Sequence, residues 1–457
     1  MTVNTLSRLG TANAYDSTLR NLQTRQSDLS NLQESLTSGK KINRPSDDPT
    51  GAAQAERALN RIARIATDQR ALESQRNAIA SAESTLGDVT ETLQNIRALV
   101  VSAGNGTHTA AERATIANQI NGLRDRVLTL SNAKDSNGLP LFAALGSALS
   151  PFVGPAATQP DYTFDGLPGQ SSTDVYAIPF TLDGESAFMH QPARDGVFNI
   201  TVGNLTSPGN SIPTTRGLLT DNITVTDTAI VANTAALAAA TAGAPDYPTY
   251  TVTFTTVDST TTPGTTAVTY EITETPAVTT GVNPVFAGAA SYKTGETAKI
   301  AITGIPGMSF NITGTPPVSD KAAGATVVGS PAVGDVITVA PRRSVFSVID
   351  TAVNDIGKAA NANAATQAVS QALHNIDKSM ARVSAIRGQA GDLLVRADSI
   401  TNTNSKRNIE QEGNRSRAED LDMIEAISDF NNQQTGYQAA LQSYAQVQKL
   451  SLFNFIG

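Results

Sequence analysis

The 457 residues contain no cysteine and no tryptophan. The absence of cysteine excludes disulfides, thiolate chemistry and cysteine-ligated zinc. Aromatic residues amount to only 5%, thin for an enzyme built around an apolar pocket. No run approaches the 18 or so consecutive apolar residues of a membrane-spanning helix, so no membrane partner is expected. Basic charge is the minority, with 33 Lys and Arg against 41 Asp and Glu and a net charge of −8. A nucleic-acid binder needs a basic face to neutralise phosphates, so none is expected here. The opening Met1–Gly10 has no basic stretch followed by an apolar one, and no cleaved secretory signal is expected.

What the chain has instead is helical periodicity at both ends and a Thr-, Ala- and Gly-rich middle. Ile65, Leu72, Ile79, Leu86, Leu93 and Val100 recur every seventh residue, with Ala82, Val89 and Ile96 in the companion position. That spacing keeps one stripe against a partner helix. It predicts a helix from near 50 to 103, on the order of 75 Å long, with Asp48 as its N-cap and Pro49 in its first position. A third helix carries Ile116, Ile120, Leu123, Val127 and Leu130 and ends before Asn137-Gly138. A C-terminal helix begins with Leu373, Ile376, Met380 and Val383. Its polar stretch at 401–420, with Gly413 inside, predicts a slip or break of register.

The outermost segments carry narrower stripes: Tyr15, Leu22, Leu29 and Leu36 near the N-terminus, and Ile427, Phe430, Tyr437, Leu441 and Tyr444 near the C-terminus. Helices so thinly apolar bury little alone, so these nine residues are the candidate assembly interface, covered by neighbouring subunits. Between the helical zones only about a tenth of residues 199–340 are charged. Tyr250–Thr255 and Ala267–Thr273 alternate with period two, and shorter strand-like runs surround Ile223, Phe310 and Val336–Val339. Residues 228–245 read as a short helix or a loop. The fold class is therefore α+β: a long discontinuous helical bundle or coiled coil made of N- and C-terminal segments, with an inserted β-rich head. Its expected domains are terminal polymerisation helices at 1–45 and 420–457 that order on assembly, a helical rod at 46–145 and 344–419, and the head at 146–343.

Catalytic constellations are hard to assemble. The three histidines, His108, His190 and His374, have no metal-binding spacing, and His374 reads as a solvated or seam-edge residue. Asp47-Asp48 reads as helix capping rather than a cation site. Arg57, Arg61 and Arg64 share a helix face, where Glu56, Asp68 and Glu73 suggest a salt-bridged, solvated surface. No catalytic, cofactor-binding or metal-binding residue is assigned, no cofactor is expected, and the chain reads as no enzyme.

Leu36–Pro49, containing Pro45-Ser46-Asp47-Asp48-Pro49, resembles the conserved signature of the bacterial flagellin superfamily. Within it, this stretch is similar to the hook-associated proteins of the hook–filament junction, the FlgL class, since flagellins proper usually have Ala where Pro49 stands. Asn137–Phe142 resembles the turn after the family's third helix, with Leu-Phe-Ala-Ala in place of the usual Leu-Phe-Ala-Gly. Asp422–Ile427, Gln433–Thr435 and Ala445–Ile456 are similar to the junction proteins' C-terminus. Gly334–Pro341 with Ser344–Ile349 resembles their exit from the β domain.

The resemblance implies a structural adaptor exported through the flagellum by its type III apparatus and located extracellularly in that organelle. Its implied partners are further copies of itself in an axial helical assembly, the other hook-associated junction protein, flagellin, and an export chaperone at the C-terminal helix. Two alternatives stay open: a flagellin filament subunit, and a flagellar surface protein whose β head binds a glycan or host receptor.

Overall fold

The structure is a computed structural model. It describes residues 3–155, 161–169, 177–204, 217–241, 247–258, 261–279, 281, 283–294, 296–314 and 334–456, with the side chains of 3–15, 204 and 447–456 excluded. In chain order the elements begin with α1 (Val3–Ser38), α2 (Pro49–Ala103) and α3 (Ala110–Ser131). They continue with β1 (Phe152–Val153), β2 (Thr163–Phe164), α4 (Gly184–Phe188), α5 (Pro192–Asp195), β3 (Phe198–Asn204), β4 (Leu219–Thr220), β5 (Thr224–Val225) and α6 (Thr228–Ala239). The rest of the head is β6 (Thr249–Asp258), β7 (Thr265–Thr275), β8 (Phe286–Lys293), β9 (Ala298–Ile305), β10 (Met308–Gly314) and β11 (Asp335–Pro341). Three helices close the chain: α7 (Val345–Gly357), α8 (Ala362–Glu419) and α9 (Met423–Ile456). The α+β architecture and the pairing of chain ends around a β-rich insertion are those expected from sequence. The chain divides into two compact units, residues 1–72 with 398–457, and residues 73–397.

In the larger unit the heptad stripe of α2 is buried at Ile79, Leu86, Leu93 and Val100, and so are the companions Ala82, Val89 and Ile96. On α8, Ile376, Val383, Ala390 and Ala397 are buried as well. Ion pairs tie the two helices along their rims, Arg97 Nε to Asp377 Oδ1 at 2.7 Å and Arg387 Nε to Glu83 Oε1 at 2.8 Å. A capping box starts α3: the Thr109 hydroxyl accepts from Glu112 N, and the Glu112 carboxylate accepts from Thr109 N at 2.7 Å. It satisfies N–H groups that the first helical turn leaves unpaired.

The head has a five-stranded antiparallel sheet ordered β3-β11-β6-β7-β8 and a second sheet in which β10 pairs with β9, β4 and β5. In β7 burial alternates, with Val268, Tyr270 and Ile272 inside. They join Tyr250, Val252 and Phe254 of β6, Ile300 and Ile302 of β9, and Phe310 and Ile312 of β10 in one core. This is the period-two geometry of half-buried strands. The run 228–245 resolves into helix at 228–239, capped by Asp227, whose Oδ1 accepts from Ala229 N at 2.9 Å and Ile230 N at 3.1 Å; residues 242–246 lie outside the described ones.

One expectation is overturned. The predicted break at 401–420 is absent: α8 runs as helix to Glu419. The seam changes chemistry instead of register. Gln69 Nε2 donates to Thr401 Oγ1 at 3.2 Å, Asn404 Nδ2 to Gln69 Oε1 at 3.4 Å, and Arg61 Nη1 to Gln411 Oε1 at 3.4 Å. Buried Asn404 is thus satisfied by an amide partner, as a buried polar group must be.

Candidate assembly interface

The smaller unit is built on two facing corners. Gly39, at φ +71°, ends α1 in the left-handed region that favours glycine. Past it, Lys41 N donates to Glu419 O at 2.8 Å and Leu421 N to Gly39 O at 3.0 Å, a short antiparallel bridge between the corners. Lys40 Nζ adds an ion pair with Glu419. Asp47 Oδ2 accepts from Asn43 N and Arg44 N at 3.2 and 2.8 Å, and Asp48 Oδ1 caps α2 through Thr50 N and Gly51 N, both at 3.0 Å. Asp48 is the helix cap read from sequence, whereas Asp47 closes the loop before it by holding the Asn43 and Arg44 amides. Hydrogen bonds from Gly51 and Thr50 hold the Asp48 carboxyl below its ordinary range, against burial. A Cβ on Gly51 would lie 2.4 Å from Asp48 Oδ2 and 2.7 Å from Ile42 Cδ1, so any larger residue here must displace the capping carboxylate or the Ile42 side chain. Asp422 Oδ1 caps α9 in the same way, accepting from Ile424 N at 3.0 Å and Glu425 N at 3.3 Å.

These corners bring α1 and α9 side by side, and the nine candidate residues fall on this pair of helices. Leu22 is buried. Leu29 and Leu36 on α1, with Phe430, Tyr437 and Tyr444 on α9, are half-buried. Ile427 and Leu441 are 48% and 42% exposed. The side chain of Tyr15 lies outside the described residues. The nine candidates leave out Met423, which opens the same stripe seven residues before Phe430 and is 45% exposed, and Ile424, which lies off the stripe and is 85% exposed. An apolar chain left that open is the signal that marks them.

The arginine face departs from expectation. Arg57 and Arg61 have no carboxylate partner among the described residues; Arg61 bonds the amide of Gln411. On α8, Arg417 donates to Asn414 Oδ1 at 2.6 Å and Gly413 O at 3.3 Å. Glu73 pairs instead with Arg76, Nη1 to Oε1 at 4.0 Å, so the expected salt bridges do not form at Arg57 and Arg61 among the described residues.

The larger unit holds a constellation that no sequence spacing revealed. His190 Nε2 and Ser379 Oγ are 2.9 Å apart, and Asp195 Oδ2 lies 3.7 Å from His190 Nδ1. His190 and Asp195 belong to one short stretch at α5, whereas Ser379 comes from α8, far along the sequence. Ser379 donates to Asn375 O at 2.9 Å, and both Ser379 and His190 are buried. Arg382 Nη1 contacts both Asp195 oxygens at 3.1 and 2.9 Å, while its Nη2 donates to Ser186 O at 2.7 Å. Burial pushes the Asp195 carboxyl up, but His190, Arg194 and the Gln191 N–H beside it outweigh burial and hold it below the usual range. The arrangement locks α5 to α8. His374 is half-buried at the seam, where burial and then Lys378 push its imidazole below its ordinary value.

Family models match at both ends: the bacterial flagellin N-terminal helical region over residues 10–146 and the bacterial flagellin C-terminal helical region over 373–456. The chain is 31% identical over 153 residues to flagellar hook-associated protein 3 of Salmonella typhimurium, covering 32% of this chain and 46% of that protein. It is 30% identical over 119 residues to a flagellin of Clostridium tyrobutyricum, covering 26% and 32%. It thus spans about half the length of the hook-associated relatives it matches. Among solved structures, flagellar hook associated protein-3 of Legionella pneumophila superposes with a TM-score of 0.56 at 20% identity, over 79% of this chain and 98% of that one. Xanthomonas campestris FlgL superposes with a TM-score of 0.52 at 20% identity, over 79% and 99%. These structural likenesses establish a shared fold.

Proposed function

Because the chain belongs to the bacterial flagellin superfamily, with a flagellin helical region at each end, we propose that it is a structural adaptor polymerising at the hook–filament junction. In that role it links the hook, through the other hook-associated protein, to flagellin. One observation carries the reading: the paired α1 and α9 leave a stripe from Leu29 and Leu36 to Ile427 and Leu441 half-covered or open. Neighbouring copies along an axial assembly would cover that stripe, since a head-to-tail contact that does not close generates a helical tube. The residues before 45 and after 420 are its polymerisation arms. The C-terminal helix, while unassembled, presents the amphipathic surface an export chaperone would mask. The head decorates the junction from outside.

The similarity to hook-associated protein 3 supports a junction role over a filament role, as does Pro49. A strain lacking the chain should carry bare hooks and release unpolymerised flagellin into the medium. Bare hooks with no flagellin outside would make this chain the filament subunit. Normal filaments would contradict both and favour a surface-binding head.

A further inference from the structure

In the smaller unit, α2 and α8 frame a groove of about 440 Å³ lined by Arg57, Arg61, Arg417, Gln411, Ala58 and Ala418, with Gln54 and Asn414 at its rim. No carboxylate lines it, although acids outnumber bases in the chain as a whole. Its floor holds the buried alanines Ala58 and Ala418. Arg57 and Arg61 stand four residues apart on α2, on neighbouring turns of one helix face. Arg57 has no ion-pair partner among the described residues, and Arg61 and Arg417 bond only amide and carbonyl oxygens.

The matching surface is on the same chain. Glu425 and Asp429 are exposed, without ion-pair partners among the described residues, and also four residues apart on one face of α9. Beside them Ile424 and Ile427 form an exposed apolar stripe, while Ala426 on the opposite face is buried. We infer that the Arg57–Arg61 groove of one copy receives the first turns of α9 from a second copy. Glu425 and Asp429 then pair with Arg57 and Arg61, and Ile424 packs onto the alanine floor. Two stripes of opposite charge at equal helical spacing fix a single register, and the small floor admits an aliphatic side chain that water otherwise surrounds. The inference rests on the self-assembly proposed above and names the surface through which it occurs.

The lack of cysteine makes the test clean, because each introduced thiol is unique in the chain. Arg57→Cys with Glu425→Cys leaves Arg61 and Asp429 in place. The double variant is expressed in the deletion strain, and sheared flagella are treated with a short bis-maleimide. Motile cells yielding a ladder of cross-linked copies, with at most dimers from either single variant, are the expected result. Motile cells with no ladder would overturn the groove while leaving the junction role intact. As a second readout, Arg57→Glu with Arg61→Glu should lower the flagellated fraction about tenfold, and adding Glu425→Lys with Asp429→Lys should restore it. Failure of that exchange to rescue a soluble, folded chain would also overturn the pairing. Normal filaments in the deletion strain would remove the junction reading and the inference with it.

Discussion

Leu29→Asp and Leu441→Asp should each abolish swimming in the complemented deletion strain while shifting thermal unfolding of the purified chain by no more than a few degrees. Leu29 is half-buried on α1 and Leu441 is 42% exposed on α9. In the isolated chain the new carboxylate stays solvated, and a surface change of this kind costs within about 0.5–1 kcal/mol. In the assembly the same carboxylate must leave water without a partner, at a cost of several kcal/mol, repeated in each subunit. Wild-type swimming in either variant would remove that residue from the interface. Loss of thermal stability as large as the loss of assembly would make the stripe intramolecular core.

Phe346→Ala should be the most damaging single truncation in the larger unit, costing about 3–5 kcal/mol. Its ring is fully buried on α7 and lies 4.9 Å from Tyr162, 5.6 Å from Phe152 and 6.0 Å from Phe188, centroid to centroid. Phe142 extends the group edge-on to Phe188 at 5.4 Å. In a chain with few aromatics, this cluster is the principal large-side-chain packing between α7 and the segments that follow α3. The turn beneath it is also pinned: Asp161 accepts from Arg343 N at 2.9 Å, Ser344 Oγ at 2.6 Å and Ser347 Oγ at 3.0 Å. Truncation leaves a cavity those fixed partners cannot close, so denaturant unfolding should show a lower midpoint at unchanged slope. A loss below about 1 kcal/mol would mean the neighbouring rings repack.

The parts of this architecture legible in sequence are those governed by local rules. Heptad spacing placed α2 to within a residue or two, and Asp48 with Pro49 marked its start. Strict alternation exposed β6 and β7. By contrast β8, with Gly288 and four alanines or serines among its eight residues, has too little side-chain contrast for a period to show. The continuity of α8 past residue 400 was hidden because its seam there is held by amides, and hydrophobic periodicity registers only apolar seams. Long-range geometry was illegible for the same reason. Ser379 meets His190 and Asp195 only through tertiary folding, and Arg57 and Arg61 have acids nearby in sequence with which, among the described residues, they form no ion pair. The candidate interface was legible as two stripes, whereas its most exposed member, Ile424, needed the fold to reveal it.

The central claim concerns place: a structural subunit confined to the boundary between hook and filament. Gold-labelled antibody against the head, residues 146–343, applied to intact flagella tests this directly by electron microscopy. The account predicts one compact cluster of label where the hook ends and the filament begins. Label distributed along the filament would contradict it.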